Sequence, residues 1–222
     1  MYQRTCAATS CTSLAAGYST LCSGHRKTKT RHGHHGQLAI SAARLAPYLR
    51  RVVARYEANV SSDAWSILAK RWSVVVEDAM RTLEGYQAGT PSVRHRVRAA
   101  DQVRTLDGLG DPIAVVHVVL AMYVLADAEP RAFCTDKGFD YQLVRRVVRL
   151  APVNSGSYWN SKAGRSTRVY RDLPPRVVEA LADLLKGAFG LAGLQLAGLE
   201  RNRVDPSEVE RKRLADSIAR LA

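Results

Sequence analysis

The chain has 222 residues, 46% of them hydrophobic, and a net charge of +13 from 33 basic and 20 acidic side chains. That hydrophobic share can fill the core of one ordinary domain with a small appendage, which excludes wholesale disorder. The basic excess favours a polyanionic partner, nucleic acid being the commonest, over the bland alternative of a surface kept basic for solubility.

The cations are unevenly placed. The first acidic residue is Glu57, and nine Lys or Arg precede it. A second acid-free stretch between Asp140 and Asp172 holds seven more. A surface tuned only for solubility mixes its signs, so two one-sign zones read as footprints on phosphates.

Residues 1–37 form the first unit, with three of the four cysteines, four of the six histidines and no acids. Cys6 and Cys11 stand five apart, Cys22 and His25 three apart, with ten residues between the pairs. Two short-spaced pairs can each present two ligands from a tight turn, and three thiolates with one imidazole complete a tetrahedral zinc site. Two disulfides or chance cysteines are the alternatives. So small a unit cannot bury enough apolar surface to fold alone, and one structural Zn2+ supplies what is missing. Gly17 and Gly24 give turn freedom, and Leu14, Tyr18 and Leu21 are the expected apolar cluster. Beside the site, Arg26, Lys27, Lys29 and Arg31 face phosphate, with His32, His34 and His35 as further donors or alternative ligands.

The run Cys6-Ala-Ala-Thr-Ser-Cys11, then Gly17-Tyr-Ser-Thr-Leu-Cys22-Ser-Gly-His25-Arg26 and Arg31-His32-Gly33-His34, resembles a short zinc-binding module. That module stands at the N-terminus of many phage and bacterial nucleic-acid-handling proteins, some HNH homing endonucleases among them. The likeness covers residues 5–37 only. It implies zinc at the four matching residues and a life near nucleic acid in a phage or mobile element, and it leaves the activity open.

From Leu38 the pattern turns helical. After Ala43, the residues Leu45, Leu49, Val52, Val53 and Tyr56 share one face, and Arg44, Arg51 and Arg55 another. Ser62 to Tyr86 predicts a long core helix with Trp65, Leu68, Trp72, Val76, Met80 and Leu83 inward. Gly89-Thr-Pro91 breaks the chain ahead of a basic segment containing Arg94, His95, Arg96 and Arg98. Asp107-Gly-Leu-Gly-Asp111-Pro112 ends one helix and starts the next, with Asp111 as N-cap and Pro112 at the first helical position. Pro112 to Ala126 is the most apolar stretch, too short for a membrane span, and predicts a buried helix. Without a secretory signal, a cytoplasmic location follows, where thiols stay reduced. Cys134, which has no partner nearby, reads as a buried core thiol.

Phe139 to Leu150 predicts a short helix with Leu143, Val144, Val147 and Leu150 inward and Arg145, Arg146 and Arg149 outward. Tyr158 to Arg171 predicts a β-hairpin turning at Ala163-Gly164, where Tyr158, Trp159 and Tyr170 alternate with Lys162, Arg165 and Arg168. Helix, helix, basic helix and basic hairpin is the order of a winged helix-turn-helix. A long helix follows Pro175, with Gly187, Gly190 and Gly193 marking close packing or a break, and Asp205-Pro206-Ser207-Glu208 caps a last one.

Catalytic signatures are weak. An HNH centre fails for the body because the last histidine is His117, in an apolar helix. Glu77 with Asp78, Asp107 with Asp111, and Asp136 with Asp140 read as caps or solvated faces. No phosphate-cradling loop, nucleophile elbow or dinucleotide fingerprint occurs.

The sequence therefore predicts a mostly α protein, with a zinc-binding module at 1–37, a helical domain at 38–222, and a basic helix plus hairpin at 139–171. Its expected role is a nucleic-acid-binding accessory or regulatory factor, DNA or RNA, with no membrane partner. The alternatives are a protein-interaction subunit of a larger assembly and a nuclease or strand-processing enzyme.

Overall fold

The computed structural model describes residues 4–203, the side chain of Arg168 excepted. Seven α-helices are described: α1 (Ser23–His32), α2 (Ala42–Ala58), α3 (Asp63–Gln87), α4 (Arg94–Asp107), α5 (Pro112–Ala128), α6 (Asp136–Val148) and α7 (Pro175–Arg201). One antiparallel hairpin, β1 (Ser155–Asn160) and β2 (Arg165–Tyr170), stands between α6 and α7. The expected cap at Asp205–Glu208 lies outside the described residues.

Helix α5 is the hub, because its sequence has no polar face to turn toward water. Val115 to Met122 are all buried, and α2, α3, α6 and α7 pack around them. Asp111 starts α5 as expected, its Oδ1 accepting from the Ala114 N–H at 3.0 Å, with Pro112 first in the helix. No single described helix is long and apolar enough to cross a membrane. Helices α4 and α5 pass that test only together and are bent by 114°.

The glycines of α7 serve packing. A Cβ on Gly193 would overlap the Tyr123 ring of α5, and one on Gly190 would lie 3.1 Å from its hydroxyl. Gly187 meets nothing, and α7 runs unbroken past all three.

Helix α3 departs from its expected face. Trp65, Leu68, Trp72 and Leu83 are buried as predicted, but Val75 and Ala79 take the places of Val76 and Met80. Met80 is exposed. The reason is that α4 covers α3 more heavily than α5 and α7 do, which turns the buried stripe toward α4, where Ala99 and Ala100 are buried.

Helix α6 begins a turn earlier than its hydrophobic period indicates. The Thr135 hydroxyl caps it, accepting from the Gly138 N–H at 3.0 Å. The hairpin also begins earlier, pairing Ser155 with Tyr170 through to Asn160 with Arg165. Its turn spans residues 161–164. Asn160 Oδ1 accepts from the N–H groups of Lys162 and Ala163, and Gly164 takes a φ of +59°. An isolated two-stranded hairpin is marginal in water. This one is held at its foot, where Asn154 donates to Val148 O at 2.9 Å and to Gln102 at 3.1 Å.

Before α2, an irregular segment folds on itself. Thr5 bridges Leu14, and the N–H groups of Cys6 and Ala7 donate to Ser13 O and Thr20 O. Its apolar cluster differs from expectation: Leu21 is buried, but with Cys6 and Ala8, while Leu14 and Tyr18 are exposed. A loop with so little chain has no second layer to cover those two side chains.

Two buried glutamines join this unit to α6 and to the segment just before it. Gln37 Nε2 donates to the carbonyls of Leu38 and Ala132, and its Oε1 accepts from the Cys134 N–H. Gln142 Oε1 accepts from the Ile40 N–H, and its Nε2 lies 3.1 Å from His32 Nδ1. Gly33 ends α1 at φ +81°, and a Cβ there would sit 2.6 Å from the Lys137 carbonyl oxygen. Only glycine permits that approach.

Candidate metal centre and basic surfaces

The ligand atoms of Cys6, Cys11, Cys22 and His25 all lie within 4.8 Å of one another. Each position has a local cause. The Thr5–Leu14 bridge turns the chain so that Cys6 and Cys11 meet. Cys22 is the N-cap of α1, its Sγ 3.5 Å from the His25 N–H, and the first helical turn brings His25 back toward that sulfur. His25 Nδ1 lies 3.3 Å from Cys22 Sγ and 3.4 Å from Cys6 Sγ. Zinc bonds of about 2.3 Å to sulfur and 2.0–2.1 Å to nitrogen, set tetrahedrally, place those atoms about 3.5 Å apart. All four cysteines of the chain are free thiols, with no disulfide.

The electrostatics prepare the cluster for a cation. Burial pushes the Cys6 thiol up, but hydrogen bonds from the Cys22 and Ala8 backbone, then His25 and Cys11, outweigh it and lower its pKa to about 6. Cys11 moves the other way. The Ser13 backbone lowers it, while burial and the neighbouring Cys6 and Cys22 raise it on balance. Thiols crowded in this way repel as thiolates, and a bound metal ion removes the conflict.

His34 and His35 lie beside this cluster and are not in it. Their rings sit 4.1 Å apart, and His35 meets His25 edge-on at 5.9 Å. His32 belongs to the α6 contact. Cys134, expected in the core, is exposed. Phe133 turns inward and Gln37 holds the Cys134 backbone, so the side chain of an extended residue points the opposite way.

The basic residues divide into two kinds. On α1, Arg26, Lys27 and Lys29 are exposed, and they form no ion pair among the described residues. On the hairpin, Lys162 and Arg165 are exposed, Trp159 is 67% exposed and Tyr158 51%. Arg168 stands on β2 opposite Ser157.

The others have partners inside the fold. Arg44 Nε donates to Glu129 at 2.9 Å, and the Tyr48 hydroxyl donates to the other oxygen of that carboxylate. Arg55 donates to Glu200 through Nε and Nη2. Arg51 lies over the Tyr48 ring at 5.7 Å. Arg31 and Arg145 share Asp172, at 2.9 and 3.1 Å.

Helix α6 corrects the expectation of an outward arginine face. Arg145 also donates to the Arg31 carbonyl, Arg146 donates to the Ile40 carbonyl, and Arg149 lies over the Tyr170 ring at 4.0 Å. All three are half-buried, and desolvation lowers each pKa. Segments far away in sequence, 31–40 and 170–172, lie across the face that the helical period leaves polar. A recognition helix needs that face free, so the order of a winged helix-turn-helix is present without its exposed reading surface.

Asp172 is the residue that sequence reasoning missed. It ends the second acid-free stretch and forms an ion pair with one arginine from each zone. Of the carboxylate pairs, Asp111 is a cap, Asp78 pairs with Arg81, and Asp140 accepts from Lys186 at 2.8 Å. Compared with protein-family models, curated proteins and solved structures, the chain matches none.

Proposed function

We propose that this chain is a zinc-containing nucleic-acid-binding accessory or regulatory protein without chemistry of its own. One observation carries the reading. Helix α1 has a candidate metal ligand, Cys22, as its N-cap and a second, His25, in its first turn, while its outer side shows Arg26, Lys27 and Lys29 without acidic partners among the described residues. An ion at Cys6, Cys11, Cys22 and His25 would fix the helix that displays those cations. Three thiols and one imidazole are the donor set of structural zinc, with no position left open for substrate. The hairpin supports the same reading, since exposed Tyr158 and Trp159 beside Lys162 and Arg165 suit base stacking next to phosphate contacts. The phage or mobile-element setting rests on the resemblance of residues 5–37.

The experiment is fluorescence anisotropy with labelled duplex DNA, single-stranded DNA and RNA over a salt series. Neutralising about six phosphates gives a log–log slope near −5 on duplex DNA, and a shallower one on single strands. Chelating the metal weakens binding. No binding to any of the three at low salt contradicts the reading. One feature favours the rival role of an interaction subunit: Leu191, Leu194 and Leu199 of α7 are each more than half exposed.

A further inference from the structure

A cavity of about 470 Å³ opens between the first turns of α4 and α7, lined by Arg94, His95, Arg98 and Arg176 with Pro174, Pro175 and Val177. About eighty positions separate its two arms in sequence, and only the fold brings them together. We propose that this cavity is a phosphate-binding site, taking the phosphate group of a phosphate ester through the guanidinium groups of Arg94, Arg98 and Arg176, with His95 beside them.

The cations carry the argument. Among the described residues none of these arginines forms an ion pair, and no carboxylate lines the cavity. Arg31, Arg44, Arg55 and Arg145 each meet a carboxylate, whereas these three arginines face one concavity that holds none. A second cavity of about 530 Å³ shares His95 and Arg176 and does contain acids. Of these, Glu179 pairs with Lys137 and Asp78 with Arg81, while Asp183 lies 3.7 Å from Lys186, which Asp140 also binds. Positive charges gathered in one concavity repel one another and concentrate a counter-ion. The planar fork of arginine matches two phosphate oxygens at once, which selects phosphate over a monovalent halide. The helix ends agree in sign: Val93 and Pro174 provide no side-chain cap, and neither first turn contains an acid.

The position also connects with the rest of the basic surface. Residues 171–176 run from the hairpin's foot, past the Asp172 that binds Arg31, to Arg176 in the cavity wall. The proposal stands apart from the nucleic-acid reading, because a small phosphate ester or a nucleic-acid backbone would supply the same group.

The test is calorimetric titration of the full chain with inorganic pyrophosphate, for wild type and for Arg98→Ala/Arg176→Ala. Saturable binding in wild type and a loss of tenfold or more in the double variant is the expected result. A second double variant, Arg26→Ala/Lys27→Ala, keeps wild-type affinity for pyrophosphate. Should the alanine pair disturb folding by circular dichroism, Arg98→Lys/Arg176→Lys keeps the charge, removes the fork and still weakens binding. No saturable binding by wild type, or equal affinity in wild type and the cavity variants, overturns the proposal. Labelled duplex DNA separates the sources. A parallel loss of duplex affinity in the cavity variant assigns the phosphate to a nucleic-acid backbone, and unchanged duplex affinity assigns it to a small ester. A wild type that binds pyrophosphate and no nucleic acid removes the proposed function and leaves this site standing.

Discussion

Two regions of the molecule order their chains by different means. From Ile40 to Ala197 the body buries one continuous core, in which α5 is enclosed on all sides. The N-terminal module buries Cys6, Ala8 and Leu21, with Cys11 and Cys22 packed against them. Full burial of one large apolar side chain contributes about 1.5–3 kcal/mol, while ordering each residue's backbone costs about 1–2 kcal/mol. A cluster of that size does not by itself offset the ordering of some thirty residues, so a metal cross-link has far more to contribute to the module than to the body. What its packing does contain is ligands, since Cys6, Cys11 and Cys22 are themselves candidate metal donors. The basic surface differs between the two regions in part. Arg44, Arg55 and Arg145 of the body meet acids from distant segments, while Arg26, Lys27 and Lys29 of the module are exposed without an ion pair among the described residues.

The largest effect expected from this difference follows loss of the metal. Structural zinc in small modules contributes on the order of 10 kcal/mol of apparent binding free energy near neutral pH. Chelation, or Cys11→Ser, should remove hydrogen-exchange protection from residues 4–37 while α3, α5 and α7 keep theirs. Loss of protection throughout the body would show that the two regions fold as one.

The reverse experiment loads the body. Gly193→Val forces side-chain atoms into the Tyr123 ring and should lower stability by about 3 kcal/mol, seen as a drop in Tm. Metal content should stay unchanged.

How much of this was legible in sequence follows the distance over which each feature is decided. The clustering of the four candidate ligands was legible because the pairs Cys6–Cys11 and Cys22–His25 are close in sequence, and their chemistry limits them to a few roles. Helix α5 was legible from its composition, and its start from Asp111-Pro112. The role of Arg145 was not, because its partners, Asp172 and the Arg31 carbonyl, belong to segments that the helical period of α6 cannot report. The same holds for Cys134, whose direction is set by Gln37, and for the meeting of Arg94 and Arg98 with Arg176. Acid-free stretches measured local sequence, and the fold brought Glu129, Glu200 and Asp172 to them from elsewhere.

A matched pair of triple variants sharpens the division of the cations. Arg26, Lys27 and Lys29 replaced together by Ala should change stability by no more than about 0.5 kcal/mol. Nucleic-acid affinity should fall, and the salt slope with it, by roughly one unit per lost contact. Arg145, Arg146 and Arg149 replaced together should instead cost about 1–3 kcal/mol, because their partners at Asp172, Ile40 and Tyr170 lose them. Melting temperature and affinity, measured on both, test the contrast. Equal stability in the two variants would put the α6 arginines back on the surface.

The smallest effect concerns Glu129, which ties α2 to the end of α5. The Tyr48 hydroxyl and the Arg44 guanidinium stabilise its charged form, so its pKa is lowered from 4.5. A carboxylate lowered on folding stabilises fully above its unfolded pKa, and the contribution is lost as pH falls through the folded value. Glu129→Gln should therefore destabilise by roughly 1 kcal/mol at neutral pH, a figure kept small because the pair is partly solvated. The gap between variant and wild type should narrow below pH 4.5. A constant gap across the titration would mean that the carboxylate's charge contributes nothing.

The central claim, that a zinc ion at Cys6, Cys11, Cys22 and His25 holds the module on a body that stands without it, is tested most directly by native mass spectrometry of the full chain. The expected result is one zinc per molecule with all four cysteines reduced, lost in Cys22→Ser while the variant keeps the compact charge distribution of a folded body. A wild-type chain that carries no metal, or one with a Cys6–Cys11 disulfide, would contradict it.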